Sequence, residues 1–389
     1  MKHVCIIDPG LLEDGGHHAA LMETLVSSAT DSAKYSYYSH KDISKTLITK
    51  SRGNSNISLV PHFSNYFYEY YHDGASKKLK GTQAYIRSLA IEYGHVFDSI
   101  LENHNDSSIV FFYPCLNWEH ALALELALRR RKVPTGGVTH KICCMFCPKD
   151  LKHSDMNPFY RMSFKGLCSR DSVELYATDF ETKNYYESLG IEISGTHPCY
   201  LLPWHNLKLS KKIQQGAQNV LVYFGDAKED KGFFTVAEVV EKLSLKYGDR
   251  VNFLIQFTMH WETPSLVEQR DKINRLGAKY SNITVFEGFW KTERLVEEFC
   301  QLDAVICTYD TQVYQYKSSG LAWLCSFFDV PIFLRGKCWL QRETERLGNT
   351  YGISDELQSI ELNTDVESNR AENTYKDAIF SNLTQWLLN

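Results

Sequence analysis

Short apolar runs alternate along the chain with stretches in which apolar residues recur every three or four positions. The short runs predict buried strands, and the longer spacing predicts amphipathic helices. In the first half of the chain, strands are predicted at 3–8, 34–39, 57–60, 107–114, 133–140 and 173–179, and helices at 17–29, about 75–101, 118–131 and 180–190. Strands that alternate with helices are typical of parallel sheets with right-handed crossovers.

The same pattern restarts after a polar, basic stretch at 203–217. Further strands are predicted at 219–225, 251–258, 283–288, 303–309 and 330–334, and helices at 234–248, 265–280, 292–302, 320–328 and from about 339. We therefore predict an α/β protein of two doubly wound, Rossmann-like domains that face a cleft. Their predicted bounds are 1–205 and 206–374, and a last helix at 375–389 is expected to pack back on the first domain. A length of 389 residues also favours two cores over one.

Composition narrows the functional classes. The net charge of −5 argues against general nucleic-acid binding. The 11 cysteines are irregularly spaced, and the run CCMFC at 143–147 has no partner pair for zinc, so we expect packed thiols. No run approaches the about 20 apolar residues of a membrane span, and the start is too quickly polar for a signal peptide. We expect a cytoplasmic protein, at the inner face of the membrane if its substrate lies there.

Ligands of doubly wound sheets bind at the carboxyl ends of the strands. After the first predicted strand stand Gly15, Gly16, His17 and His18. Glycines at a helix N-terminus let an anion approach the backbone, although a flexible turn with a solvated histidine pair would look the same. His140 ends the strand predicted at 133–140 and could point across the cleft, whereas a lone histidine in such a place is more often structural.

A second loop, FGDAKEDKGF at 224–233, follows the first strand of the second domain. Gly225 is predicted to end that strand and Gly232 to open the next helix. Lys228 and Lys231 can both reach the strand-end crevice, where lysines neutralise a pyrophosphate. The alternative interpretation is a charged surface turn.

A third loop, at 308–320, leads into a helix. Lys317, Ser318, Ser319 and Gly320 would lie at its N-terminus, where serine hydroxyls and free N–H groups suit phosphate oxygens. An ordinary N-cap would explain one of the two serines.

Taken together, these loops resemble those of the GT-B-fold glycosyltransferases, and within them the family 4-like retaining enzymes. The resemblance covers most of the chain and is best from 219 to 352. Lys231 and Gly232 match the Lys-Gly of the family's phosphate loop, whereas Asp226 stands where an arginine is usual. A basic residue at 228 is expected to supply the second charge.

The block that holds the nucleotide diphosphate in this family is similar to the segment 314–334. Ser319, Gly320 and Pro331 match it. Leu324 stands in place of the ribose-binding glutamate, and Asp329 in place of a glycine, so ribose recognition is expected to differ.

The resemblance implies a hexosyltransferase-like enzyme that moves a sugar from a nucleotide-diphosphate donor to a glycan or lipid-linked acceptor. It implies retention, no metal and no cofactor apart from the donor, in surface polysaccharide or glycoconjugate synthesis. Lys228 and Lys231 would stabilise the leaving phosphate, which is where electrostatic catalysis acts. His140 would contact the donor sugar or its phosphate.

Further roles follow from the same resemblance. Glu287 or Asp310 would replace the missing ribose glutamate, and Tyr316 would form a wall for the sugar or base. The segment 8–19, with its Gly-Gly-His-His, would lie on the acceptor side. The aromatic run at 62–72 would stack on acceptor sugars or make peripheral contact with a membrane, unless it is a core segment.

Two other functions remain open. A sugar-nucleotide epimerase of the same fold would form product from the nucleotide sugar without an acceptor. A degenerate, non-catalytic module that binds a glycan or a protein partner is suggested by Leu324 and Asp226, and it would bind no nucleotide diphosphate.

Overall fold

The computed structural model describes residues 2–68, 79–103, 108–131, 136–147, 149, 157–209, 216–362 and 373–389. The chain divides into two compact units, and we call them the first and second domain. The first comprises Met1–Leu207 with Ala378–Asn389, and the second comprises Lys208–Asp377.

The first domain is built on a parallel sheet with the strand order β3-β2-β1-β4-β5-β6-β7. Its described strands are β1 (Lys2–Ile7), β2 (Ala33–His40), β3 (Ile57–Phe63), β4 (Ile109–Leu116), β5 (Val138–Cys144), β6 (Val173–Ala177) and β7 (Gly195–Thr196). Its helices are α1 (Gly16–Ser28), α2 (Lys45–Ser51), α3 (Leu79–Asn103), α4 (Trp118–Arg130), α5 (Asn157–Cys168) and α6 (Phe180–Ser188).

Both faces of this sheet are buried, as expected for a doubly wound fold. Every residue of β4 is buried. Alternate side chains along a strand point to opposite faces. Phe111 and Tyr113 accordingly join one apolar cluster with α3, α4 and α5, while Val110 and Phe112 join another with α1.

The second domain repeats the design with the parallel order β10-β9-β8-β11-β12-β13. Its strands are β8 (Gln218–Asp226), β9 (Val251–Thr258), β10 (Ile283–Glu287), β11 (Ala304–Cys307), β12 (Ile332–Leu334) and β13 (Tyr351–Ile353). Its helices are α7 (Val236–Tyr247), α8 (Pro264–Lys279), α9 (Thr292–Phe299), α10 (Gly320–Phe327) and α11 (Trp339–Arg346).

Strands β4 and β5 both run past their predicted ends. β4 continues through Pro114 to Leu116, with a register shift against β5 between Tyr113 and Leu116. Proline lacks the N–H of a regular ladder, and a bulge accommodates it. β5 lies at Val138–Cys144 rather than at 133–140, and 132–135 fall outside the described residues.

The C-terminal segment forms two short helices, α12 (Thr374–Ile379) and α13 (Leu383–Leu388), rather than the single helix predicted. The Trp386 ring lies 5.9 Å from that of Phe112 and 4.7 Å from that of Tyr176. Lys141 Nζ donates a hydrogen bond to the Trp386 carbonyl at 2.9 Å. The segment therefore completes one face of the first domain.

The cysteines that the structure describes are free thiols, and most are buried. In the described part of the chain, no cluster of histidine, cysteine and carboxylate side chains is arranged to hold a metal ion. No helix there is long and apolar enough to cross a membrane.

Candidate functional site

The carboxyl end of β8 brings a glycine and a lysine into close contact. Gly225 has φ of +106°, and its N–H donates to Gln256 Oε1 at 2.9 Å. A Cβ placed on Gly225 would lie 2.7 Å from Lys231 Nζ. The amine therefore lies directly over the half-buried backbone of Gly225, at the edge of the sheet where ligands of such folds bind.

The loop that carries Lys231 is fixed onto the end of β11. Thr308 Oγ1 donates to the Lys231 carbonyl at 2.7 Å. Gly232 has φ of +71°, and a Cβ there would lie 2.0 Å from the Thr308 carbonyl oxygen. The loop can cross the strand end only because this residue has no side chain.

Unlike Lys228 and Lys317, Lys231 forms no ion pair with a carboxylate among the described residues. Lys228 pairs with Asp226 at 2.9 Å, and Lys317 pairs with Asp230 at 2.8 Å. Among the described residues, the half-buried Lys231 Nζ makes no ion pair or hydrogen bond and lies 5.7 Å from the Tyr309 ring.

The charges of the loop shift two pKa values. Burial lowers the pKa of Lys231, the charge of Asp226 opposes that change, and Lys228 adds to it. Burial alone would raise the pKa of Asp226, but the hydrogen bond from Lys228 and the charge of Lys231 lower it to about 2. The carboxylate is thus ionised at neutral pH, and a third, unpaired positive charge remains for an anion.

The start of α10 carries the other predicted phosphate ligands. Ser319 caps the helix, since its Oγ accepts a hydrogen bond from the Leu321 N–H at 3.4 Å. Gly320 is the first helical residue, and the half-buried Ser318 precedes the cap. Leu324 is 5% exposed, so the position at which the resemblance expects a ribose-binding glutamate is here a core position.

The residues predicted on the nucleoside side have other structural roles. Glu287 is exposed at the end of β10, and its carboxylate lies 3.7 Å from the guanidinium of Arg270. Asp310 Oδ1 accepts two backbone N–H bonds from the 3-10 turn that follows it. Tyr316 lies beneath the guanidinium of Arg342 at 5.9 Å. Of the three, Asp310 lies beside the Lys231 loop, since its N–H donates to the Asp230 carbonyl at 3.0 Å.

Arg335 was not predicted. It follows β12, and its Nε is buried without a hydrogen-bond partner. The charges of Lys231 and Arg335 both act on the Cys307 thiol at the end of β11, so both cations lie near that strand end. An arginine directly after an apolar strand is the signal that could have revealed it.

In the first domain, an acidic residue at the end of β1 meets α1. Asp8 is 1% exposed, and its carboxylate accepts hydrogen bonds from the Gly10 N–H at 3.1 Å and from the Tyr37 hydroxyl at 2.6 Å. His18 Nδ1 lies 2.7 Å from Asp8 Oδ1. Asp8 was not singled out in the sequence, where it stands in a turn-like Asp-Pro-Gly.

The predicted acceptor-side residues divide into two pairs. Gly15 and Gly16 are exposed, and a Cβ on either would meet nothing within 4 Å. His17 and His18 instead turn toward Tyr68, whose hydroxyl lies 3.1 Å from the Nε2 of each histidine. The glycines form an open turn, and the histidines form a polar network with Tyr68 of the aromatic run, of which 69–72 lie outside the described residues.

His140 is not at a strand end. It is the third residue of β5, fully buried, and its ring stacks on Phe111 with centroids 5.0 Å apart. Its Nδ1 hydrogen-bonds the Tyr113 hydroxyl at 3.0 Å. Burial lowers the pKa of His140 to about 3, so it is a neutral core residue, and the predicted contact with a donor is wrong for this position.

A buried acid and histidine at the N-terminus of α4 were also missed. Burial raises the pKa of Glu119 to about 8 and lowers that of His120 to about 3. His120 stacks on Phe67 at 4.0 Å and hydrogen-bonds the Tyr85 hydroxyl at 3.0 Å. Asn117 caps the helix and bonds Glu119 at 3.1 Å. Perturbed groups of this kind concentrate at functional sites.

Solved structures are similar to this chain across both domains. A glycosyltransferase from Rickettsia africae is 12% identical, with a TM-score of 0.60, over 100% of this chain and 96% of that one. A UDP-GlcNAc 2-epimerase from Neisseria meningitidis, bound to UDP-GlcNAc, is 13% identical with a TM-score of 0.58, over 100% and 98%. The chain has the GT-B fold.

A third GT-B structure, the E. coli trehalose-6-phosphate protein bound with UDP-2-fluoro glucose, is 11% identical with a TM-score of 0.57, over 100% and 95% of the two chains. No protein-family model and no curated protein matches the chain. At these identities the similarity shows the GT-B fold alone, and that fold serves both glycosyl transfer and epimerisation in these neighbours.

Proposed function

We propose that the second domain binds the diphosphate of a nucleotide sugar and that the chain transfers the sugar to a glycan or other acceptor. The observation that carries this proposal is the position of Lys231. Its amine lies over the backbone of Gly225 at the carboxyl edge of the sheet, and it has no carboxylate partner among the described residues.

The chemistry of glycosyl transfer explains why this geometry matters. Negative charge develops on the phosphate oxygen as the nucleotide diphosphate leaves. A fixed positive charge in a half-buried site stabilises that oxygen more than it would in water. The N-terminus of α10 at Gly320 would favour the same anion through the dipole of the helix. These groups supply the charge without a metal, so EDTA is expected to leave the rate unchanged.

The finer assignments rest on the resemblance. They comprise a hexose donor, an acceptor in surface polysaccharide or glycoconjugate synthesis, and action at the inner face of the membrane. Front-side attack in which the leaving diphosphate takes the acceptor proton would give retention. Direct attack from the opposite face, with a protein base that takes the proton, would give inversion. Because Leu324 is a core residue, the ribose must be held by a group other than a glutamate at that position.

Calorimetry with UDP and GDP tests the proposal, with Lys231→Ala compared to Lys242→Ala. Lys242 is half-exposed on α7, where it pairs with Glu238 at 2.7 Å. A charge-assisted contact contributes about 1.5–3 kcal/mol, so Lys231→Ala is expected to weaken nucleotide binding about 10- to 100-fold. Transfer should fall about 10²–10³-fold, whereas Lys242→Ala should change neither.

Other outcomes favour other functions. Near wild-type transfer by the Lys231→Ala protein would refute the phosphate assignment. Conversion of a nucleotide sugar to its epimer in the absence of acceptor would show an epimerase. Absence of any binding to UDP or GDP would indicate a non-catalytic module.

A further inference from the structure

Two carboxylates lie at the anion site of the second domain, beside its lysines. Asp226 Oδ2 accepts a hydrogen bond from Lys228 Nζ at 2.9 Å, and Asp230 Oδ2 accepts one from Lys317 Nζ at 2.8 Å. We propose that Asp226 and Asp230 are specificity-determining residues, which lower the affinity of the site for a free nucleoside diphosphate relative to an intact nucleotide sugar. This inference rests on the proposed function.

Both carboxylates are close enough to act on the Lys231 amine. Burial lowers the pKa of Lys231, and the charges of Asp226 and Asp230 both oppose that change. Asp230 also joins two loops, because its carbonyl accepts the Asp310 N–H at 3.0 Å and its carboxylate binds Lys317, shortly before the N-terminus of α10. An anion bound at Lys231 would therefore lie in the field of both carboxylates.

Both carboxylates are also ionised at neutral pH. Burial alone would raise the pKa of each, but the hydrogen bond from the paired lysine outweighs it. The pKa of Asp226 is thereby lowered to about 2, and Lys317 lowers the pKa of Asp230 in the same way. Each carboxylate offsets one positive charge that its lysine would otherwise present to a phosphate. The site is thus much less basic than its three lysines suggest.

Glycosyl transfer changes the charge of the nucleotide that occupies such a site. The bond between the anomeric carbon and the terminal phosphate oxygen breaks, a bond from that carbon to the acceptor oxygen forms, and the acceptor proton passes to solvent. The phosphate oxygen keeps the electron pair. The donor is a diester with one charge on each phosphate, whereas the product gains a further charge above the second pKa of its terminal phosphate, about 6.

The carboxylates repel this further charge. Two unit charges about 4 Å apart in water repel each other by an energy equivalent to about fivefold in affinity, and by more at the lower effective dielectric of a half-buried site. Asp226 and Asp230 would therefore weaken product binding more than donor binding. The physical consequence is faster release of the nucleoside diphosphate after transfer.

A role in orienting the lysines alone would have a different signature. If Asp226 only held Lys228 in place, its loss would weaken the binding of every diphosphate alike. In the proposed role, its neutralisation favours the ligand with the additional charge. The ratio of two affinities therefore distinguishes the roles, whereas a single affinity or a melting temperature does not.

Calorimetry at pH 8 with UDP and with the methyl ester of its terminal phosphate measures this ratio. The two ligands share the base and the diphosphate and differ by one charge. Asparagine at position 226 can still accept the hydrogen bond that Thr258 Oγ1 donates to Asp226 Oδ1 at 2.8 Å. We expect Asp226→Asn to raise the UDP-to-ester affinity ratio about fivefold. Asp230→Asn should act likewise and serves if the first variant does not fold.

Glu361→Gln is the matched control. It changes the net charge by the same unit and also releases a lysine, because Glu361 pairs with Lys246 at 2.8 Å near the C-terminal end of α7. That end of the helix precedes β9 and so lies at the amino edge of the sheet, away from Lys231. Screening beyond a Debye length should hold the affinity ratio of this variant within about 1.5-fold of the wild-type ratio.

The outcomes separate this inference from the proposed function. An unchanged ratio in Asp226→Asn and Asp230→Asn, or an equal rise in Glu361→Gln, overturns the specificity role. In that case weaker UDP binding by Lys231→Ala would still support the diphosphate site. Guanosine nucleotides replace the uridine pair if only GDP binds. Absence of binding to both UDP and GDP by the wild-type protein overturns both proposals.

Discussion

Replacing Gly232 by alanine tests whether the Lys231 loop depends on its close approach to β11. The φ of +71° places this residue in the left-handed region, which costs an L-residue about 1–2 kcal/mol. The new Cβ would also meet the Thr308 carbonyl oxygen at 2.0 Å, and backbone cannot move aside as a flexible side chain can. Relief of such overpacking costs about 1–3 kcal/mol. We expect a total destabilisation of about 2–5 kcal/mol.

Gly190→Ala is the matched control. Gly190 has φ of +74°, and a Cβ there would meet nothing within 4 Å, so only the conformational cost of about 1–2 kcal/mol applies. Urea unfolding measures the stability of each variant. Amide hydrogen exchange in β8 reports on the second domain for Gly232→Ala, and exchange in β6 reports on the first domain for Gly190→Ala. UDP affinity should fall only for Gly232→Ala. Equal destabilisation by the two substitutions would refute the steric argument.

Two further predictions concern single charged or titratable groups. Because burial lowers the pKa of His140 from 6.5 to about 3, its contribution to stability is complete above pH 6.5 and falls by about 1.4 kcal/mol per unit below it. His140→Gln should flatten the pH dependence of urea unfolding between those values, and an unchanged slope would contradict this. Arg335→Gln should weaken UDP binding about 10- to 100-fold, whereas the exposed Lys337→Gln should not; equal affinities would exclude Arg335 from the site.

The alternation of strands and helices was sufficient to predict the doubly wound fold, but two strand ends depended on distant partners. The strand predicted to end at His140 runs on through Lys141, whose amine bonds the Trp386 carbonyl 245 residues away. A local hydrophobic pattern cannot show that a lysine will find such a partner. Pro114 likewise suggested that β4 ends there. The strand continues because a bulge in its pairing with β5 accommodates the proline, and a local pattern cannot show that pairing.

The residues of the candidate site also fall into those that the sequence predicts and those that depend on folding. Lys231 and Gly232 were predicted because the loop that resembles a phosphate loop is contiguous in sequence. Arg335 and Asp8 were missed, because each matters only through residues brought close by folding. The pairing of Lys317 with Asp230 at 2.8 Å likewise shows that a basic residue in the predicted loop can already be neutralised. The sequence alone therefore indicates a candidate anion site, but not which of its lysines already pair with a carboxylate.

The hydrogen bond between the Lys141 amine and the Trp386 carbonyl has a consequence for the order in which the protein folds during synthesis. The first domain is formed by residues on both sides of the second, so the second is an insertion in it. A ribosome must synthesise all of Lys208–Asp377 before α13 can cover the sheet face beside Phe112. The second domain can therefore fold while the first domain still exposes an apolar surface. Removal of Leu383–Leu388 would leave that surface exposed in the finished protein.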